Sequence, residues 1–309
     1  MNTSVTQLPG STTDGQTLGL TQMHLGTVVE ISGHGASHSI VSAGINAAFQ
    51  EVARIHRLMS FHSEDSDVSK LNRSGAQGVV TVDPRTVAVL SAACEVSRLS
   101  DGIFDVTVAP QLVSTGHLPR PPSACAPSSD ASWRDIEIVA EDTVVFHRPL
   151  WIDLGGIAKG FAVDQAFEVC LRQQLDDCLI NAGGDIRISH GITGSVMLDV
   201  PSGDTNTSGC VELTGGSIAS SCGWPNATLQ NEELIGCHFN GATGSRVDPT
   251  RFVSVLAERC MVADALTKVV LVMGERALPV LSACSATAFA YEKCGGWEQI
   301  PPASVSYQH

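Results

Sequence analysis

The chain has 309 residues, is 43% hydrophobic and carries a formal charge of −14 from 18 basic and 32 acidic residues. That length and apolar content suffice for a substantial core in one large or two medium domains. The acidic balance argues against nucleic acid or an anionic membrane as a partner, so any phosphate ligand has to be held by local basic groups, backbone N–H groups or a metal.

The ten cysteines include no CxxC pair and no metal-ligand spacing, a pattern expected of buried thiols in a reducing compartment. The first twenty residues have no basic segment followed by an apolar one, and no run approaches the length of a membrane span. A cytoplasmic protein with no membrane anchor is the expectation. Residues 1–20 are polar and expected to be disordered, and residues 21–309 are expected to form one unit.

Met23-His24-Leu25-Gly26-Thr27 leads into an alternating strand at Val28–Ser32. A helix is predicted over about 42–58, with Ile45, Ala48, Phe49, Val52 and Met59 on one face. A polar loop, Met59 to Asn72, follows. Asp83-Pro84 is an N-cap acceptor followed by proline at the first helical position, and the helix it opens should end near Ser100. Asp101-Gly102-Ile103-Phe104-Asp105 then reads as a turn with a buried phenylalanine and a capping aspartate. Thr115–Ser132, rich in Pro, Ser and Ala, reads as an exposed loop or insertion. Ile136–Ala140 and Thr143–Phe146 alternate around Glu141-Asp142 and predict a hairpin.

The next stretch carries the most chemistry. Trp151–Leu154 reads as a buried strand, Gly155-Gly156 as a tight turn, and Val163, Ala166, Phe167 and Cys170 as one face of a helix. A second apolar run, Cys178–Ile180, stops at Asn181-Ala182-Gly183-Gly184-Asp185. Glycine lets a backbone approach a ligand closely or adopt positive φ, and a helix N-terminus suits a phosphate. Lys159 stands in the first turn, where a cation opposes the helix dipole unless an anion is present, so it is a candidate phosphate ligand. Neither glycine pair has the GxGxxG spacing of a dinucleotide-binding oxidoreductase. Beyond Asp185, short strands are predicted at Ser195–Val200, Val211–Leu213 and Ser217–Ser221, with a loop at Pro201–Gly209. A strand at Arg251–Ala257, a helix from Met261 to Gly274 and strand potential at Ala286–Tyr291 complete the chain. Irregular alternation of helices with antiparallel-looking strands indicates an α+β fold.

Asp153-Leu154-Gly155-Gly156-Ile157-Ala158-Lys159-Gly160-Phe161-Ala162-Val163-Asp164 resembles the signature of the ApbE family, the FAD:protein FMN transferases. Asn181-Ala182-Gly183-Gly184-Asp185 resembles that family's second signature. Weaker matches occur in the family's order at Met23–Thr27, Met59–Asn72, Gly102–Pro110, Cys237–Gly244 and Ala263–Lys268. The resemblance implies two similar α+β lobes in one compact unit, with the flavin site between them. It implies FAD contacts from Met23, His62 (where relatives carry Tyr), Ile103, Phe104, Asp105, Asp153, Lys159, Asn181, Gly183, Gly184, Asp185 and His238, and magnesium held by the Gly156 carbonyl and Asp264. Relatives carry threonine where this chain has Lys268, which cannot ligate while protonated. The implied reaction attaches FMN to Thr or Ser of an acceptor flavoprotein at a Ser-Gly-Ala-Thr-like site and releases AMP. His238 is then the candidate base, suited to that role by an unperturbed histidine pKa, and Asp264 and Lys268 complete the catalytic set. The departures at His62, Cys237–Gly244 and Lys268 leave two alternatives, an FAD-binding carrier or sensor without transfer, or an FAD pyrophosphatase.

Overall fold

The computed structural model describes residues 15–200, 208–224, 227–230, 233–292 and 296–300. The expectations for residues 1–14 and 201–207 lie outside them. One antiparallel sheet of eight strands organises the chain. It contains β1 (Gln16–His24), β2 (Thr27–Gly35), β6 (Asp177–Ala182), β7 (Asp185–Leu198), β8 (Gly209–Cys222), β11 (Phe252–Ala257), β12 (Thr287–Glu292) and β13 (Gly296–Ile300), side by side in that order. A three-stranded sheet joins β3 (Val80–Thr81), β5 (Thr143–Phe146) and β4 (Ile136–Ala140), and β9 (Thr228–Gln230) pairs with β10 (Glu233–Ile235). The helices are α1 (His38–Met59), α2 (Asp67–Ser74), α3 (Pro84–Leu99), α4 (Ala109–Ser114), α5 (Ala158–Arg172), α6 (Cys260–Met273) and α7 (Leu278–Ala283).

Strand alternation sorts the core. Val29, Ile31 and Ile180 pack with α1 and α5 residues such as Ile45, Phe49, Val163 and Phe167. Ala219, Val253, Val255 and Ala288 pack under Ala265, Leu266 and Val269 of α6 on the same side. Leu179, Ile186, Ile188, Ile218 and Phe252 belong to a separate cluster with the outer parts of β7 and β8. The α+β expectation holds, and the two halves share one continuous sheet.

Several elements match their sequence signals. Asp83 accepts a hydrogen bond from Arg85 N at 2.9 Å and Pro84 opens α3. Ser37 caps α1, which starts about one turn before the apolar face becomes legible. The β4–β5 hairpin forms as expected, with a register shift between Ile138 and Ala140. Gly183 (φ 64°) and Gly184 (φ 100°) form the two-residue turn between β6 and β7, where positive φ at both positions matches the strand twist.

Other expectations fail. Gln16–Leu20 are not disordered: they pair with Ile31–Gly35 of β2. Backbone pairing there does not require an apolar sequence. The short strands expected at 195–200, 211–213 and 217–221 belong to two strands of 14 residues each, β7 and β8, whose register shifts between Ile188 and Thr193. Trp151, Ile152 and Leu154 are buried, but Trp151–Leu154 are not a strand. Their backbone is satisfied by side chains and a loop instead. Asn72 Oδ1 accepts from Ile152 N at 2.7 Å, Asn72 Nδ2 donates to Ile152 O at 3.0 Å, and Asp153 N donates to Val106 O at 2.8 Å.

Helix α5 meets the start of α6 at backbone contact. A Cβ at Gly160 would lie 2.3 Å from Cys260 O and 2.8 Å from Met261 Cα. Gly160→Ala should therefore lower the unfolding free energy by at least about 1–3 kcal/mol, since the obstruction is backbone and cannot rotate away. Urea unfolding checks this, and a wild-type midpoint would refute the close docking.

Candidate functional site

A cleft of about 650 Å³ opens where the two halves meet, within the roughly 300–1,000 Å³ typical of small-molecule sites. Ile103 and Phe104 line one wall, Leu25, Gly26, Thr27 and Gly183 another, and Gly155, Gly156, Lys159, His238 and Lys268 line it together with Asp153 and Asp105. Ser220, Ser221 and Cys222 at the end of β8 complete it with Cys237 and Phe239.

Beneath the cleft, four charges alternate. Lys159 Nζ donates to Asp185 Oδ2 and lies 3.9 Å from Asp264 Oδ2. Lys268 Nζ donates to Asp264 Oδ1 and, at 3.0 Å, to Asp264 O one helical turn back. Both aspartates are fully buried. Burial works against ionisation of Asp264, but Lys159 and Lys268 outweigh it and hold its carboxyl below the usual range. Burial and the charge of Asp264 push Asp185 upward, and its Oδ1 is buried without a hydrogen-bond partner among the described residues. Burial opposes the Lys159 charge, yet Asp185 and Asp264 hold that ammonium well above the ordinary lysine range.

The anion expected at the N-terminus of α5 is thus supplied by the protein. Asp264 Oδ2 accepts from Gly160 N at 3.1 Å, in the first turn of α5. Lys159 is engaged by two carboxylates rather than held free for a phosphate, because tertiary packing brings Asp185 and Asp264 to it from strand and helix far away in sequence. In return, Asp164 of α5 accepts from Cys260 N and Met261 N, both at 3.0 Å, and so caps α6, whose own N-cap Arg259 provides no side-chain cap. Arg187 on β7 donates to Asp164 Oδ1 at 2.8 Å and lies over the Phe167 ring at 4.2 Å.

His238 departs from its expected state. Burial, aided by the positive charge of Lys268, pushes its pKa down to about 3. The imidazole is neutral across the physiological range. Asp153 lies in the cleft lining, its Oδ2 accepting from Gly155 N at 3.1 Å, and burial raises its carboxyl. Asp105 accepts from Thr107 N at 2.8 Å and Trp133 N at 3.2 Å, so it fixes the loop whose Ile103 and Phe104 face the cleft.

Not every predicted residue reaches the cleft. Met23 is 69% exposed, opposite Val28 across the β1–β2 pairing, and Leu25 stands in the lining instead. The β1–β2 turn reverses after His24, so it presents Leu25-Gly26-Thr27, and the adjacent Leu-Gly-Thr was the signal available. His62 is exposed and sits edge-on to Phe61 at 6.5 Å. Asn181 accepts from Gly184 N at 3.0 Å and so serves the turn. The loop expected as an insertion sends His117 and Leu118 into the lining.

The donor set does not fit the implied magnesium. Such an ion takes near-octahedral oxygen ligands. Asp264 Oδ1 is engaged by Lys268 and Oδ2 by Gly160 N. Gly156 borders the aliphatic stem of Lys268, whose Cε would lie 3.5 Å from a Cβ there. No group of three or more His, Cys, Asp or Glu side chains suited to a metal occurs among the described residues.

An antiparallel α+β sheet with its cleft between two helix-covered halves defines a recognisable class. A family model described as the ApbE family matches residues 25–289, and the chain belongs to that family. It is 27% identical over 232 residues to an FAD:protein FMN transferase of Vibrio cholerae, covering 70% of this chain and 69% of that one. A Haemophilus influenzae protein of the same name is 26% identical, over 72% and 70%. Among solved structures, the ApbE protein of Thermotoga maritima superposes with a TM-score of 0.77 at 26% identity, covering 92% of this chain and 97% of that one. The Vibrio cholerae flavin transferase ApbE shares the fold with a TM-score of 0.75 at 22% identity, over 94% and 98%.

Two outcomes test this electrostatic arrangement. Lys159→Met leaves Asp185 and Asp264 without their shared cation and should cost about 3 kcal/mol of stability. Adding Asp185→Asn should recover part of it in chemical denaturation, and no recovery would show that the two groups are not coupled. Because the folded His238 pKa is about 3 against an ordinary 6.5, the unfolded chain binds a proton there that the folded chain does not. Stability should therefore fall as pH drops from 6.5 towards 3, by up to ~1.4 kcal/mol per pH unit. The His238→Gln variant should lack that component of the slope between pH 6 and pH 4.

Proposed function

We propose that the chain is an FAD:protein FMN transferase that joins FMN through a phosphoester to a Thr or Ser of an acceptor protein and releases AMP. The observation that carries the reading is the convergence on one cleft of both glycine turns, the Asp185–Lys159–Asp264–Lys268 chain and a neutral His238. The curated relatives named for this transfer support it.

In this reading FAD lies along the cleft. Leu25, Ile103 and Phe104 give an apolar wall for its ring system, and the turns at Gly155-Gly156 and Gly183 let its linkage approach the backbone. The acceptor hydroxyl oxygen attacks the FMN phosphorus. A new P–O bond forms, the bridging P–O bond to AMP breaks with its electron pair leaving on AMP, and the hydroxyl proton passes to the imidazole of His238. An anionic pyrophosphate beside that imidazole raises its low proton affinity, so base strength appears when substrate is bound. Such transfer is mainly positioning and charge stabilisation. No part of this step is routed through magnesium, because both Asp264 oxygens are already engaged, by Lys268 and by Gly160 N.

The acceptor is proposed to carry a Ser-Gly-Ala-Thr-like site. A cytoplasmic location is part of the same proposal, supported by nine cysteines among the described residues that are in no disulfide. No helix among those residues is long and apolar enough to cross a membrane.

Incubation with FAD, magnesium and an acceptor domain bearing that site should raise the acceptor mass by one FMN moiety and release AMP in equal amount. Intact FAD beside unmodified acceptor overturns the reading. AMP without acceptor modification identifies an FAD pyrophosphatase instead.

A further inference from the structure

Lys268 is the one residue of α6 that lines the cleft. Its side chain is 15% exposed, and it reaches Asp264 on the same helix. Its neighbour Thr267 points elsewhere, donating to Asp264 O at 2.6 Å and sharing a hydrogen bond with Ser221 at 2.7 Å. An ammonium has three hydrogens. Two are engaged by Asp264 Oδ1 and Asp264 O, and the third has no partner among the described residues. A compact positive charge is thus fixed at the cleft wall, with one donor left for a ligand. A divalent ion at Asp264 would have to displace that ammonium and then share the carboxylate with two nearby lysines.

We propose that the Lys268 ammonium does the work a divalent ion would do here: it neutralises the pyrophosphate and the charge developing on the departing AMP, so that FMN transfer proceeds without metal. The proposal rests on the transferase reading. The bonds made and broken are unchanged. The electron pair of the cleaved P–O bond goes to the AMP phosphate, whose growing negative charge faces the third hydrogen of Lys268, while the acceptor's proton still goes to His238. Lys268 adds charge stabilisation only and keeps its own protons. Tethering to Asp264 holds the cation in place before FAD arrives, so little reorganisation is needed at the moment of reaction. The Asp264 charge moderates the field of the ammonium, which lets AMP leave.

The full chain is assayed for FMN transfer in EDTA and again over a magnesium titration. Wild type should keep its rate in EDTA within about twofold, as expected when a preorganised side chain supplies the stabilisation. Loss of transfer in EDTA with recovery on added magnesium overturns the proposal. Lys268→Thr should lose transfer about 100-fold or more in EDTA, the scale of removing one preorganised group, and should gain a magnesium dependence that wild type lacks. A Lys268→Thr protein as active in EDTA as wild type, and folded by thermal unfolding, also overturns it. If neither buffer supports transfer by wild type, the transferase reading has failed, and FAD affinity measured by flavin fluorescence decides the role of Lys268. Wild-type affinity unchanged by magnesium, with at least about tenfold weakening in Lys268→Met, supports the charge contact. Affinity that requires magnesium refutes it.

Discussion

Two helices of this protein cap each other with carboxylates. Asp164 on α5 accepts the first two N–H groups of α6, and Asp264 on α6 accepts an N–H in the first turn of α5. The exchange is possible only because Gly160 has no side chain to hold the helices apart. All three donors are buried and would otherwise be unpaired helix-end groups, which are costly to leave unsatisfied. Everything at the cleft is indexed to this junction. It sets Lys159 next to the capped N–H of Gly160 and places Lys268 one turn beyond Asp264. Arg187 then ties the junction to β7, so the sheet and both helices are locked by one buried set of charges.

The same set explains how an acidic chain can hold an anionic ligand. The cleft floor carries two carboxylates and two ammoniums, so its net charge is close to zero despite the overall balance. A neutral, ordered floor holds its lysines in place rather than letting them swing through solvent. Burial makes each pairing consequential: removing one partner strands its neighbour in a region where an uncompensated charge is costly. The low proton affinity of His238 comes from the same environment, through burial and the nearby Lys268.

The cleft also depends on loops fixed by side chains. Asn72 holds the backbone at Ile152 from both sides, and Asp105 holds the turn that presents Ile103 and Phe104. These bonds replace the ladder a strand would have provided. They span 80 residues in the case of Asn72, and nothing in a local window of sequence announces them.

Much was legible in the sequence because it rests on local physics. The Asp83-Pro84 helix start, the β4–β5 hairpin, the Gly183-Gly184 turn, the apolar face of α1 and the ApbE signatures are all written within a few residues of where they act. The presence of Lys268 four residues after Asp264 was equally plain, since helical spacing dictates that such a pair meets. The tertiary structure alone decided that the anion at α5 is Asp264, that Lys159 joins two aspartates, that Leu25 rather than Met23 faces the cleft, and that the apolar side chains of Trp151–Leu154 are buried without that stretch being a strand. Each of these depends on which distant group arrives at a given atom. Burial then sets its charge state, and neither distance nor dielectric environment is encoded in residue spacing.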